Sequence, residues 1–309
     1  MRRKRRMEHS EYRACRLCPR ACGVDRASGE LGYCGVPLTL RVARAALHAW
    51  EEPSISGERG SGTVFFSGCG LRCVFCQNRP IALGEAGREI SVFRLADIFD
   101  ELEAAGAENL NLVTATQYVP SVLEALNLAR GRGNRLPVVY NSGGYESLET
   151  LGMLRGAVDV YLVDYKYASR SLADTCASAP DYPSVALAAI REMLTQTGAP
   201  KFERGMLKRG TLVRFLLLPS FLLDAKLGLR RVFSLCGNDA LYSLMQQYTP
   251  MPDMTPPLDR RVSESEYRSL LAYAAELGIE NGYTQERESA KESFIPPFDL
   301  TGVLPKESR

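Results

Sequence analysis

The chain has 309 residues, 45% of them hydrophobic and 24% charged, proportions that exclude an intrinsically disordered chain and leave enough apolar material for a full core. Lys and Arg number 38 against 36 Asp and Glu, and without the run Arg2, Arg3, Lys4, Arg5, Arg6 the balance is 33 against 36, so a basic nucleic-acid surface is not expected. Nine cysteines stand against two histidines, His9 and His48, which excludes a His-rich metal site.

The N-terminal charge runs into Glu8, His9, Ser10 and Glu11, where a secretory leader requires an apolar stretch. No segment reaches the roughly 18 apolar residues of a membrane span. A cytoplasmic, thiol-reducing setting follows, in which neighbouring cysteines are metal ligands or redox groups before they are disulfides. Residues 1–61 read as a cysteine-rich N-terminal module. It carries Cys15, Cys18 and Cys22 in a Cys-x2-Cys-x3-Cys spacing, then Cys34 flanked by Gly32 and Gly35. Four soft ligands suit zinc or a second iron–sulfur cluster. A structural metal, an auxiliary cluster and metal-free thiols all stay open on spacing alone.

Residues 62–282 alternate short β-rich runs with longer helical ones, the pattern of βα units on a parallel sheet. Six units follow in order. They are Thr63–Ser67 with Phe93–Ala105, Asn111–Thr114 with Val119–Arg130, and Pro137–Tyr140 with Ser147–Leu154. Then come Val158–Val163 with Ser184–Thr197, Thr211–Leu218 with Leu222–Leu235, and Ala240–Met245 with Glu264–Leu277. Gly106, Gly131, Gly198 and Gly278 punctuate the predicted helix ends. Residues 283–309 form a tail.

Directly after the first strand stands Ser67-Gly68-Cys69-Gly70-Leu71-Arg72-Cys73-Val74-Phe75-Cys76-Gln77-Asn78. A closed structural zinc site takes four ligands, whereas three thiolates on an iron–sulfur cubane leave one iron open to a substrate or cofactor. The position at the C-terminal end of a strand is where barrel active sites are built. Cys176 and Cys236 have no cysteine neighbour in sequence and read as ordinary side chains.

This three-cysteine spacing, with Phe75 before the last cysteine, resembles the signature of the radical S-adenosylmethionine superfamily. His48-Ala49-Trp50-Glu51-Glu52-Pro53, Val139-Tyr140-Asn141, Val160 to Tyr167, Gln247-Tyr248-Thr249-Pro250 and Phe294 to Phe298 extend the resemblance to the uncharacterised branch labelled pyruvate formate-lyase activating enzyme-like. The resemblance implies a partial (β/α)6 TIM-like barrel and a [4Fe-4S] cluster on Cys69, Cys73 and Cys76. It also implies bound S-adenosylmethionine, cleaved reductively to a 5'-deoxyadenosyl radical that abstracts hydrogen from a substrate. Asp164 and Lys166 resemble the Asp-x-Lys pair that meets the ribose hydroxyls and the methionine carboxylate. Asn141 is a further candidate cofactor contact. Arg214, a cation interrupting an apolar strand, is another, pairing either with the methionine carboxylate or with a neighbouring acid. The resemblance further implies an electron donor such as flavodoxin or ferredoxin, and a substrate that is either a protein, as in glycyl radical enzyme activation, or a small molecule. The sequence departs from the branch at Gly70, Ala115, Gln117 and Phe215, where Asn, Pro, His and His are usual. The alternative from a different class is a non-catalytic iron–sulfur electron carrier or redox sensor.

Overall fold

A computed structural model describes residues 10–285 and 296–305. The basic run at residues 2–6, His9, Phe294, Ile295 and most of the predicted tail lie outside them. In chain order the elements are β1 (Leu40–His48), α1 (Pro53–Ser56), β2 (Ser61–Phe66), α2 (Arg79–Ala82), β3 (Arg88–Ile90), α3 (Val92–Ala104), β4 (Leu110–Val113) and α4 (Val119–Arg132). They continue with β5 (Val138–Ser142), α5 (Leu148–Leu154), β6 (Val160–Asp164), α6 (Arg170–Ala177), α7 (Tyr182–Thr197), β7 (Lys201–Glu203) and β8 (Met206–Leu216). Last come α8 (Leu222–Cys236), β9 (Leu241–Met245), α9 (Glu264–Leu277) and β10 (Gly282–Thr284).

The sheet runs β10-β9-β8-β6-β5-β4-β2-β1-β3. Every pairing from β2 through β10 along it is parallel, while β1 pairs antiparallel with β2 and β3. Among the described residues the two ends do not pair with each other, so the architecture is an unclosed α/β barrel, as expected. Strands buried on both faces read as continuous apolar runs. β2, β4 and β9 are buried at every position.

The predicted units match β2/α3, β4/α4, β5/α5, β6/α7, β8/α8 and β9/α9 within a few residues. Helices α1, α2 and α6 and strands β1, β3, β7 and β10 went unread; β1 lies within the span read as the N-terminal module. β3, β7 and β10 have three residues each, too few for a pattern, and the nine residues of β1 do not alternate strictly between apolar and polar. Helix α4 also runs past Gly131 and ends at Gly133, whose φ of 109° is the left-handed conformation that glycine adopts at no steric cost.

Alternate residues of a parallel strand face the barrel interior. At its floor Val139, Val160, Leu162, Leu212 and Leu241 pack with Leu207 and with Ile55 from α1. Ile55 is held there because its carbonyl accepts from Asn109 Nδ2 at 2.7 Å, and Asn109 Oδ1 in turn accepts from Ser61 Oγ at 2.5 Å. Two residues further along, the same strand faces turn polar, with Asn141, Asp164, Arg214 and Ser243. The apolar floor therefore gives way to a polar upper layer at the strands' C-terminal ends. The segment after the undescribed stretch crosses β1, with Leu300 and Thr301 hydrogen-bonded to the main chain of Ala43 and Ala45.

Glu146, fully enclosed behind the sheet, accepts from Thr116 Oγ1 at 2.8 Å and from Tyr140 Oη at 3.2 Å. Burial pushes its carboxyl from 4.5 up to about 7, against the lowering effect of those hydrogen bonds. Between pH 4.5 and 7 the folded state binds more protons than the unfolded one, so this group costs stability as pH rises through that window and costs most above it. Glu146→Gln is expected to be more stable than the native chain at pH 8, by about 3 kcal/mol at most, and equal to it near pH 4.5. Urea unfolding at the two pH values checks this, and a difference that does not grow with pH would refute it.

Candidate active site

One cavity of about 510 Å3 opens above the polar layer, a size typical of small-molecule and cofactor sites. Its walls bring together Cys69, Cys73 and Cys76 with Asn141, Asp164, Lys166 and Arg214. All the residues predicted for cluster and cofactor on the barrel thus meet in one place. Cys15, Cys18, Cys22 and Cys34 do not line it.

The cysteine loop joins β2 to α2. Gly68, at φ 90°, starts it, and a Cβ there would stand 2.7 Å from Val36, so only glycine turns the chain at this point. The buried side-chain amide of Gln117 fixes the same point. Its Nε2 is shared among the carbonyls of Ser67 at 2.9 Å, Gly68 at 3.0 Å and Thr114 at 2.8 Å. A histidine, usual here in the resembling branch, has no amide to share in this way. Thr114 is left-handed, with φ 57°, an outlying conformation for a β-branched residue, and it lines the cavity.

The surroundings of the three thiols suit thiolates that carry a metal. Leu71 N–H donates to Cys69 Sγ at 3.4 Å. The buried Tyr167 hydroxyl, without another hydrogen-bond partner, lies beside Cys73, and so does the Lys166 ammonium. Burial pushes the metal-free Cys76 thiol up to about 12 and Cys73 in the same direction; a bound metal reverses that preference by taking the thiolate directly. Among the described residues no group of three or more His, Cys, Asp or Glu side chains is arranged as it stands to hold a single ion. A cubane, with a cage of iron and sulfide between its ligands, spreads thiolates wider than one ion does. Phe75 packs edge-on against Tyr167 and Tyr248 at 6.2 and 5.9 Å between ring centres, which fixes the backbone between Cys73 and Cys76 and closes that wall to water. Cys176, read as isolated, has its carbonyl on Val74 N–H at 2.9 Å and its thiol in the field of Cys73; the fold makes it a neighbour that sequence separation hid.

Asp164 and Lys166 are ion-paired at 2.5 Å across one intervening residue at the end of β6. Burial alone would depress the Lys166 ammonium, yet Asp164 and the Cys73 and Cys76 thiols hold it above its ordinary value. Glycine at position 144 lets the chain approach itself closely, since a Cβ there would lie 2.6 Å from the Asp164 carbonyl.

Arg214 has two acids. Its Nε donates to Glu52 Oε1 at 2.8 Å, its Nη2 to Glu52 Oε2 at 2.5 Å, and Nη2 also meets Glu51 Oε2. Glu51 further accepts from Asn111 Nδ2 at 2.8 Å and Asn141 Nδ2 at 3.4 Å. Burial opposes the Glu52 carboxylate, but the guanidinium outweighs it and holds the carboxyl below its ordinary range. The two acids also keep Arg214 far above its own. Arg214 and Asn141 therefore face acids of the His48–Pro53 segment across the barrel mouth. The sequence signalled only that a cation inside an apolar strand needs a counter-charge, not which segment supplies it.

No protein-family model matches the chain. The uncharacterised protein MJ0674 of Methanocaldococcus jannaschii is 25% identical over 281 residues, spanning 87% of this chain and 76% of that protein. Among solved structures, a domain of pyruvate-formate lyase-activating enzyme from Bacteroides vulgatus covers 54% of this chain and 91% of that one, with 13% identity and a TM-score of 0.40. Streptococcus suis SuiB bound to the precursor peptide SuiA covers 71% of this chain and 46% of that one, with 9% identity and a TM-score of 0.47. No helix among the described residues is long and apolar enough to cross a membrane.

Proposed function

We propose that the chain is a radical S-adenosylmethionine enzyme of the pyruvate formate-lyase activating enzyme-like branch. The observation that carries this reading is the meeting of Cys69, Cys73 and Cys76 with the Asp164–Lys166 pair in one cavity at the strands' C-terminal ends. A simple electron carrier has no use for that cavity or that pair.

When bound, a reduced [4Fe-4S] cluster and S-adenosylmethionine supply one-electron chemistry that ends in removal of a hydrogen atom from a substrate. The three thiolates hold the cluster. Lys166 spends one of its three N–H donors on Asp164 and offers the others to the methionine carboxylate. Asp164 accepts from the ribose hydroxyls, and Asn141 adds an amide to the same wall. Phe65, Phe75 and Val113 keep water away from the reacting centre. The electron comes from an external donor of the flavodoxin or ferredoxin class, in a thiol-reducing cytoplasm.

The test is anaerobic reconstitution with iron and sulfide, then dithionite and S-adenosylmethionine. The native chain is expected to form 5'-deoxyadenosine at least about 100-fold faster than Cys73→Ala, since loss of a ligand exceeds the effect of losing an outer-shell partner. A native chain that loads a cluster yet makes no more product than Cys73→Ala is a carrier or sensor instead.

A further inference from the structure

The N-terminal cysteines sit on a hydrogen-bonded loop of their own, outside the cavity. Main-chain hydrogen bonds from Cys15 N–H to the Val24 carbonyl at 3.0 Å and from Gly23 N–H to the Cys15 carbonyl at 2.9 Å close the loop that carries Cys18 and Cys22. Tyr33 N–H donates to Cys22 Sγ at 3.3 Å, which brings Cys34 alongside. Cys18 lies in the field of Cys22 and Cys34, and Cys34 in that of Cys15 and Cys22.

What surrounds them is cationic and uncompensated. Arg26 is 1% exposed. Its guanidinium donates to the carbonyls of Gln117 at 2.6 Å and Pro37 at 2.7 Å, points at Cys15 Sγ from 3.8 Å, and lies over the rings of Tyr12 and Tyr118. Its Nε has no partner. Arg20 donates to the carbonyls of Gly70, Ala177 and Ser178 and stacks 3.9 Å over Tyr33. Among the described residues neither arginine pairs with a carboxylate. For Arg26, enclosed to this degree, the lack of an opposite charge is costly, whereas Arg20 is only half-buried.

We propose that Cys15, Cys18, Cys22 and Cys34 hold a metal centre as four thiolates, with Arg26 and Arg20 as its counter-cations. Four thiolates around a zinc ion, or around the oxidised core of a [4Fe-4S] cluster, carry two net negative charges, which the two guanidiniums balance. The four sulfurs, like the three of the cavity, do not surround a single point as they stand. The centre lies against the back of the cavity's cysteine loop: a Cβ on Gly70 would stand 3.4 Å from Cys18 Sγ, and Arg20 holds the Gly70 carbonyl at 2.8 Å.

The experiment uses the full chain with Cys69→Ala, Cys73→Ala and Cys76→Ala combined, so that it is independent of the reading of the cavity. One arm loads zinc and the other iron with sulfide, anaerobically, with metal counted after desalting. The expected result is about one zinc or about four iron with matching sulfide per chain in one arm, and the arm that loads names the metal. Adding Cys18→Ser and Cys34→Ser is expected to lower retention at least tenfold, and Arg26→Met, unlike Arg26→Lys, to do the same. Retention below a tenth of a metal per chain in both arms, in protein with native circular dichroism, overturns the proposal. If the triple variant does not fold, Cys18→Ser with Cys34→Ser in the native chain decides: a fall of about four iron or about one zinc per chain against the native protein supports the second centre, and no fall overturns it.

Discussion

Arg214→Met is expected to lower folding stability by about 3–5 kcal/mol at pH 7.5, the cost of breaking a buried ion pair from one side. The guanidinium is held by both oxygens of Glu52 and by Glu51, and the side chains of the two acids are 6% and 8% exposed. Removing the cation leaves two largely enclosed carboxylates without their counter-charge. The pH dependence follows from the direction of the Glu52 shift. Its carboxyl is depressed in the folded chain, so the pair contributes stability above the ordinary carboxylate range, near pH 4.3, and loses it as pH falls through the folded value. In the variant the guanidinium no longer opposes burial, and Glu52 takes up a proton more readily. The deficit should therefore narrow on acidification from pH 7.5 to 5, and Arg214→Met with Glu52→Gln should recover part of it. Urea unfolding of the three proteins at both pH values provides the check. A loss below about 1 kcal/mol, the level of exposed pairs, would show that water reaches the cluster.

Lys166→Met is expected to weaken S-adenosylmethionine binding to the reconstituted chain by about 10- to 100-fold, the effect of losing a charge-assisted hydrogen bond of about 1.5–3 kcal/mol. Equilibrium dialysis measures this directly. The ammonium also stands beside Cys73 and Cys76, so iron content must be read in parallel. Full iron with weak binding identifies Lys166 as the carboxylate contact. Unchanged binding with lowered iron would make it a counter-ion of the thiolates and remove it from the cofactor wall. Asp164→Asn separates the two further, because it frees the ammonium from its ion pair while leaving an acceptor for hydroxyls.

The parallel strands and their helices were legible because strands buried on both faces read as unbroken apolar runs, and because Gly198 and Gly278 mark their helix ends. Asp164 and Lys166 were legible from their place at a strand end, and the three cysteines from spacing. The partners of Arg214 were not, since nothing local to β8 says that the acids of residues 51 and 52 reach across the barrel; only closure of β1 onto β2 brings them there. Thr114, Gln117 and Tyr167 were missed for a related reason. Each works through a backbone conformation, a shared amide or an orphaned hydroxyl that becomes visible only when separate loops are folded together.

The stretch from His48 to Ser56 supplies two acids to the cavity wall and, through Ile55, the plug of the barrel floor. None of these residues belongs to the parallel strands, so a connection sets the chamber's floor and supplies the acids that answer the charge of Arg214 on β8. Exchanging those nine positions would rebuild the interior while leaving the strand register untouched. Variation in what such a barrel accepts is then expected to concentrate in this insert, with Arg214 changing in step with its acids.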